Sequence, residues 1–311
     1  MPKVTVVSPC YNEEGNVEEL FARVQAAFER LPGYEFDYIF IDNASKDRTV
    51  EVLKRMAKND KRVKIIVNSR NFGHIRSPYY GILQGTGDAV IYLASDLQDP
   101  PELIPDFIQK WEEGFKVVWA VKTQSHETPM MFLARKLYYE FIAKLSEIEL
   151  IKNATGFGLY DQRVIKILRE IDDPYPYARG LVSEIGFDIA KIPFTQPRRK
   201  RGITKNNFYT LYDIAMLGIT NHSKVPLRLA TMVGFLVSIL SLLVAFGYLA
   251  AKLIWWNTFS LGTAPLIIGL FFFSSVQLFF IGIIGEYVGS IYTQVLKRPL
   301  VVEKERVNFD A

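Results

Sequence analysis

Two periods alternate along the front of the chain. Short apolar runs of strand length recur at Val4 to Ser8, Asp37 to Ile41, Val63 to Val67, Ala89 to Ala94 and Val117 to Val121. Between them lie segments that read as helices: Glu14 to Arg30, Asp47 to Asn59, Ile75 to Gly85 and Pro101 to Glu113. In the first of these, Leu20, Val24, Ala27 and Phe28 fall on one face at a spacing of three to four residues, as an amphipathic helix requires. Pro101 stands where a helix start tolerates proline, because the missing N–H would have no intrahelical acceptor there. Alternating strands and helices predict an α/β fold, with a mostly parallel sheet covered on both faces. Ligands of such sheets bind beyond the carboxyl ends of the strands. That rule directs attention to the loops after strands one, two and four.

The pattern changes after about residue 224. Leu229 to Ala251 carries no charge, and at ~1.5 Å per residue it is long enough to cross ~30 Å of hydrocarbon. A second uncharged stretch runs from Leu253 to Gly285, its dense apolar part starting near Ala264. The expectation is two transmembrane helices, about 229–251 and 264–285, forming a hairpin with both ends on one side. Lys224 and Arg228 precede the first span, Lys297 and Arg298 follow the second, and the connection carries no cation beyond Lys252. The positive-inside rule then places both termini in the cytoplasm. Trp255, Trp256 and Tyr292 suit the interface belts. Glu286 at the end of the second span has two readings, a functional buried carboxylate or a marker of the cytoplasmic exit. Gly282, Gly285 and Gly289 would let the hairpin pack against a copy of itself, giving a homo-oligomer.

Composition adds limits. The chain has 311 residues and a net charge of +4, which does not suggest nucleic acid as a partner. Met1 to Glu14 enters strand-like sequence without a basic, apolar and small-residue leader, so the front domain is expected in the cytoplasm. The single cysteine excludes an internal disulfide. Cys10 sits in an apolar run and reads as a small buried strand residue rather than a reactive thiol.

The three loops carry the candidate chemistry. After strand one come Tyr11, Asn12, Glu13 and Glu14; after strand two, Asp42 and Asp47; after strand four, Asp96, Gln98 and Asp99. No Gly-x-Gly-x-x-Gly follows the first strand and no P-loop motif exists, which disfavours a dinucleotide site and excludes a P-loop. Carboxylate and amide oxygens suit Mg²⁺ or Mn²⁺, which neutralise a diphosphate. Any one of these carboxylates alone also reads as a helix cap, Asp47 first among them.

The runs SPCYNEE, IDNASKDRT and GDAVIYLASDLQDPPE resemble the family 2 glycosyltransferases of GT-A fold. NATGFGLYDQ, PYARGLVSEIGF, QPRRKRGITKNNFYTLYD and the two-span tail resemble the polyprenyl-phosphate branch, which includes bactoprenol glucosyltransferases and dolichol-phosphate mannose synthases. The resemblance implies a Rossmann-like cytoplasmic catalytic domain over residues 1–205, a juxtamembrane amphipathic helix over 206–224, and the two spans with a cytoplasmic tail over 225–311. It implies an integral protein of the bacterial inner (plasma) membrane. Pro9, Tyr11, Asn12 and Glu13 would line the donor pocket and Asp42 would hold the base. Asp96, with Gln98 as a further ligand, would bind Mg²⁺ or Mn²⁺. Many relatives carry an aspartate two residues before Asp96, where this chain has Ala94, so the metal site has one fewer carboxylate. Asp99 could compensate, or could cap the helix at Pro101.

The implied reaction is inverting transfer of a hexose, with a lean towards UDP-glucose, from a nucleotide sugar to a polyprenyl phosphate at the membrane. A phosphate monoester is largely dianionic at pH 7, its second pKa being about 6, so a strong general base is less necessary than for a sugar hydroxyl. Asp161 is a second candidate for acid–base or positioning work, with a cap before a helix as its alternative. An anionic nucleophile meeting an anionic donor needs cations. Arg198, Arg199, Lys200, Arg201 and Lys205 supply them, as phosphate ligands, with Arg201 also a catalytic candidate, or as a patch that attracts anionic lipid. His74 and Arg76 are either donor contacts or loop residues. Phe208 to Ser223 has helical apolar spacing suited to lying in the interface. Met130 to Leu150 is similar and reads equally as a core helix. Two other classes remain: a processive polysaccharide synthase, against which stand the missing Gln-x-x-Arg-Trp motif and the few spans, and a non-catalytic nucleotide-sugar-binding membrane protein, favoured only by Ala94.

Overall fold

The computed structural model describes residues 1–124, 151, 153–197, 216–218, 220, 223–254 and 263–309. The basic stretch holding Arg198, Arg199, Arg201 and Lys205, the segment 130–150, most of 206–224, and Trp255 with Trp256 lie outside the described residues.

In chain order the elements are β1 (Lys3–Cys10), α1 (Val17–Phe28), β2 (Glu35–Asp42), α2 (Thr49–Asn59), β3 (Val63–Asn68), α3 (Gly73–Leu83), β4 (Ala89–Tyr92), a 3₁₀ turn (Pro101–Leu103), α4 (Ile104–Glu112), β5 (Val117–Gln124), β6 (Ala154–Asp161), α5 (Gln162–Ile171), α6 (Ala178–Ile185), β7 (Ile189–Thr195), α7 (Val225–Ile254), α8 (Thr263–Leu296) and β8 (Glu303–Val307). The strands make one eight-stranded sheet in the order β7-β5-β6-β4-β1-β2-β3-β8. β1 pairs in parallel with β2 and β4, β2 with β3, and β5 with β7, whereas β6 runs antiparallel to β4 and β5, and β8 antiparallel to β3. The sheet is mostly parallel but mixed, and the α/β reading holds.

Alternation along the strands sends side chains to two cores. Val4, Val6, Tyr38 and Phe40 meet Leu20 and Val24 of α1, Leu53 of α2 and Phe107 of α4 on one face. Val7, Ile39 and Ile41 meet Tyr79 and Ile82 of α3 and Leu168 of α5 on the other. Successive strand residues point to opposite faces, so helices must cover both. The join between β5 and β6 is tight at Gly158, where a Cβ would overlap the Val118 carbonyl; only glycine lets the two backbones approach so closely.

Three strands go beyond the expectation. The 225–311 segment is not just a pair of spans and a tail, because β8 returns to the catalytic sheet. Asn308 Nδ2 donates to the carbonyls of Ala57 and Val63 at 2.7 and 2.9 Å, and Lys54 pairs with Glu305 at 2.7 Å. The sheet of the front domain therefore takes in a strand from beyond residue 205. The long helices hold 30 and 34 residues, more than the expected spans. By length and composition one stretch among the described residues, Gly269–Leu296, can cross a membrane; the apolar stretch Val225–Ser241 is shorter.

Candidate active site

The carboxyl ends of β1, β2 and β4 lie side by side, because these strands are parallel neighbours. Their loops are laced together. Asn12, in the left-handed region at φ 59°, donates its N–H to Ser45 Oγ at 2.9 Å and accepts from the Lys46 N–H at 2.8 Å. The Glu13 N–H donates to Thr49 Oγ1 at 2.8 Å, and the Glu13 carboxylate accepts from Asn16 Nδ2 at 2.6 Å. Ser95 Oγ donates to the Pro9 carbonyl at 2.8 Å and lies 3.1 Å from Cys10 Sγ. Cys10 is buried, and that burial pushes its thiol far up, as a structural cysteine requires. Pro9, Asn12, Glu13 and Asp42 thus share one edge, with Tyr11 half-buried among them.

Asp42 ends β2 and is fully buried. Its Oδ2 accepts the Ser45 N–H at 3.0 Å, while Oδ1, also buried, has no hydrogen-bond partner among the described residues. Burial pushes its carboxyl up from the ordinary carboxylate range, against the Ser45 hydrogen bonds. A buried acceptor without a donor is costly unless a ligand supplies one.

Asp47 spends its oxygens locally. Oδ1 accepts from Thr49 N and Oγ1 at 3.0 and 2.6 Å, and Oδ2 from the Glu14 N–H at 3.2 Å. Burial alone would raise its carboxyl, but the Thr49 hydrogen bonds hold it below the usual range. It fastens the entry of α2, although the N-cap position itself is Arg48.

The loop after β4 is bent at Leu97, a buried residue at φ 61°. Such a conformation is strained for a large side chain and marks functional loops. Asp96 Oδ1 accepts the Gln98 N–H at 3.2 Å. Gln98 Nε2 donates to the Pro197 carbonyl at 3.3 Å, so the chain entering the 198–205 stretch touches this loop. Asp99 caps no helix. It turns back and accepts the Ala94 N–H at 2.9 Å, and burial, with the charge of Asp96 nearby, pushes its carboxyl up to about 7 against that N–H and Lys122. No group of three or more His, Cys, Asp or Glu among the described residues could hold a metal. Asp96 and Gln98 offer one carboxylate and one amide, a donor set that fits Mg²⁺ or Mn²⁺ when phosphate oxygens complete the shell.

Asp161 does not join this edge. β6 runs antiparallel to β4, so Asp161 pairs with Ala89 at the start of that strand, on the opposite edge of the sheet. It is the N-cap of α5: Oδ1 accepts the Arg163 N–H at 2.9 Å, and Oδ2 accepts from Trp111 Nε1 at 2.8 Å and Lys116 Nζ at 3.2 Å. The catalytic reading of Asp161 gives way to the capping one.

The described cations of the site come from elsewhere. β5 is parallel to β4 through their shared neighbour β6, so Lys122 near its end reaches the site edge. A cavity of about 370 Å³ there is lined by His74, Lys122, Asn153, Thr155, Tyr177 and Arg179. Arg179 Nη1 donates to the Ala154 carbonyl at 2.6 Å, and its guanidinium stands 5.3 Å from the Tyr177 ring. Arg76 does not line this cavity; its guanidinium lies 5.3 Å over Tyr175, with a buried Nε that has no partner among the described residues. Lys122 and Arg179 were not singled out by sequence, although the strand-end rule extends to β5.

The sequence profile of Glycosyl transferase family 2 matches residues 5–168. The chain is 35% identical over 299 residues to the uncharacterized glycosyltransferase YkcC of Bacillus subtilis, covering 96% of this chain and 92% of that one. It is 31% identical over 304 residues to the SfII prophage-derived bactoprenol glucosyl transferase of Shigella flexneri, covering 97% and 98%. Among solved structures, a mannosyltransferase from Pyrobaculum calidifontis in complex with GDP-Man and Mn²⁺ is 16% identical with a TM-score of 0.48, over 95% of this chain and 86% of that one. A profile that spans over half of the chain and relatives aligned along nearly all of it agree: the protein is a glycosyltransferase and belongs to Glycosyl transferase family 2.

Proposed function

We propose that the protein transfers glucose from UDP-glucose to a polyprenyl phosphate at the cytoplasmic face of a bacterial membrane, with inversion at the anomeric carbon. The observation that carries this reading is the pairing of a cavity that has Lys122 and Arg179 in its wall with a polar edge where Asp42 offers a buried oxygen. Nearly full-length likeness to a relative named as a bactoprenol glucosyl transferase supports the substrates.

In this account Asp42 accepts a base N–H of the donor, and Pro9, Tyr11, Asn12 and Glu13 wall the nucleoside. Asp96 and Gln98 would hold Mg²⁺ or Mn²⁺ against the diphosphate, supplying charge neutralisation for the leaving group. His74, Lys122 and Arg179, joined by Arg198, Arg199, Arg201 and Lys205, hold the acceptor phosphate. One oxygen of that phosphate attacks the anomeric carbon, the bond to the nucleoside diphosphate breaks, and the diphosphate leaves with the electron pair. The dianionic nucleophile has no proton to lose, so positioning and electrostatics carry the rate.

The helices support a membrane site. Leu236, Leu240 and Phe246 of α7, and Leu270, Phe271, Phe279 and Val295 of α8, expose their apolar side chains. A soluble core helix would bury them, and exposed apolar surface on this scale calls for lipid or a partner. β8 follows α8 into the catalytic sheet, which supports a hairpin whose two ends share one side.

The test is transfer of radiolabel from UDP-glucose to a short polyprenyl phosphate by the folded full chain in detergent with Mg²⁺ or Mn²⁺. A lipid-linked glucosyl product is expected. No lipid-linked product with any common nucleotide sugar sinks the reading.

A further inference from the structure

One short loop joins the catalytic edge to the second long helix. α5 ends at Asp172, in the left-handed region at φ 48°. The next residue, Asp173, then meets two partners with one oxygen. Its Oδ1 accepts from Gln294 Nε2, close to the end of α8, at 2.8 Å, and from the Tyr175 N–H, also at 2.8 Å. The atom that touches the helix therefore also shapes the turn of the loop. Tyr175 carries the connection further. It lines a cavity of about 200 Å³ against Glu286, Ser290, Thr293 and Gln294 of α8, and its ring lies 5.3 Å under the Arg76 guanidinium of α3. Two residues on, Tyr177 enters the wall of the cationic cavity, followed by Arg179. The helix is fixed at a second point, where Tyr287 donates its hydroxyl to the Ser223 carbonyl at 2.6 Å.

We propose that the Asp173–Gln294 hydrogen bond is a latch through which α8 positions the 173–179 loop, and with it Tyr177 and Arg179 at the acceptor side of the site. The inference rests on the transferase reading above. Asp173 and Gln294 touch no substrate and are positioning residues. A seated helix holds Arg179 where the lipid phosphate arrives, and an unseated one leaves the loop free to sample other turns. Binding weakens in proportion to the competent fraction. A hydrogen bond to a charged group in a half-buried setting shifts that fraction by roughly tenfold. The donor side, at Asp42 and the loop after β1, is built on the ends of other strands, β1 and β2.

A charge reversal tests it in the full chain in detergent. Gln294→Glu sets two carboxylates against each other. Asp173→Asn combined with Gln294→Glu relieves that repulsion: the new amide turns its Nδ2 towards the introduced carboxylate and its oxygen towards the Tyr175 N–H. The single variant is expected to raise KM for short polyprenyl phosphate roughly tenfold, to leave KM for UDP-glucose unchanged, and to speed amide exchange across residues 172–179. The double variant should return both readouts towards wild type. An unchanged acceptor KM overturns the latch, as does an equal rise in both KM values. Wild-type protein that makes no lipid-linked product overturns the transferase reading instead. Exchange across 172–179 then decides the latch, and no difference between Gln294→Glu and wild type overturns it.

Discussion

The two edges of the sheet both bury aspartates and treat them in opposite ways. At the amino edge, Asp37 Oδ2 meets Lys64 at 2.8 Å and Lys3 at 3.1 Å, and Asp161 is held by Trp111, Lys116 and the Arg163 N–H. Burial raises both carboxyls, yet their donors outweigh it and keep them below the ordinary range. At the carboxyl edge, no lysine or arginine among the described residues is hydrogen-bonded to Asp42 or Asp99; burial wins, and both carboxyls are pushed up. The same residue type holds the fold together where its partners are built in, and is left for a ligand where they are not. Sites commonly sacrifice stability in this way.

That contrast can be broken from either side. The largest effect is expected from combining Lys122→Ala with Arg179→Ala, which removes two cations from the cavity proposed to hold the acceptor. Activity towards lipid phosphate, read as kcat/KM, should fall about 10²–10³-fold, as charge-assisted contacts to an anion are lost. Retained kcat/KM would put the acceptor elsewhere. Next comes Asp42→Asn, which replaces the unpartnered oxygen or its neighbour with an amide. KM for the nucleotide sugar should rise about tenfold, and Tm should not fall. A raised folded pKa means that the ionised carboxylate costs stability above its unfolded pKa, and the variant removes that cost. A drop in Tm with unchanged KM would make Asp42 structural.

The smallest effect on catalysis is expected from Asp161→Asn. Turnover should stay at wild type while stability at pH 7 falls by about 1–2 kcal/mol, the scale of a hydrogen bond between charged groups. The folded pKa of Asp161 is depressed, so its contribution is present above the unfolded value and is lost as pH falls through the folded one. The gap between variant and wild type in denaturant melts should therefore close below about pH 4. A gap that persists at low pH would remove the ionic part of the account.

The sequence made the parallel half of the sheet legible, and the reasons for what it hid are physical. β1 to β5 are apolar runs buried on both faces, and their expected limits differ from the observed ones by a few residues. β6 reads ATGFGLYD and β7 reads IAKIPFT, where glycines and a proline blur the strand signal. β8 reads EKERV; an edge strand with a single apolar residue exists only because β3 offers it a pairing edge. The direction of β6 is a long-range fact, and without it Asp161 could be assigned to either edge. The placement of Asp42, Asp96 and Gln98 at the carboxyl ends of β2 and β4 was legible because the strand-end rule needs only a parallel neighbour. The capping alternative for Asp99 fails because its carboxylate turns back to Ala94, which nothing local in the sequence shows. The missing carboxylate at Ala94 leaves Asp96 as the acidic donor on which the metal reading depends.

The most direct measurement is therefore turnover of the full chain carrying Asp96→Asn, beside Asp161→Asn, at equal folded concentration. Loss of turnover by about 10²-fold or more in the first, with wild-type turnover in the second, is the predicted result. Wild-type turnover with Asp96→Asn, or its loss with Asp161→Asn, would contradict the assignment of the carboxyl edge as the active site.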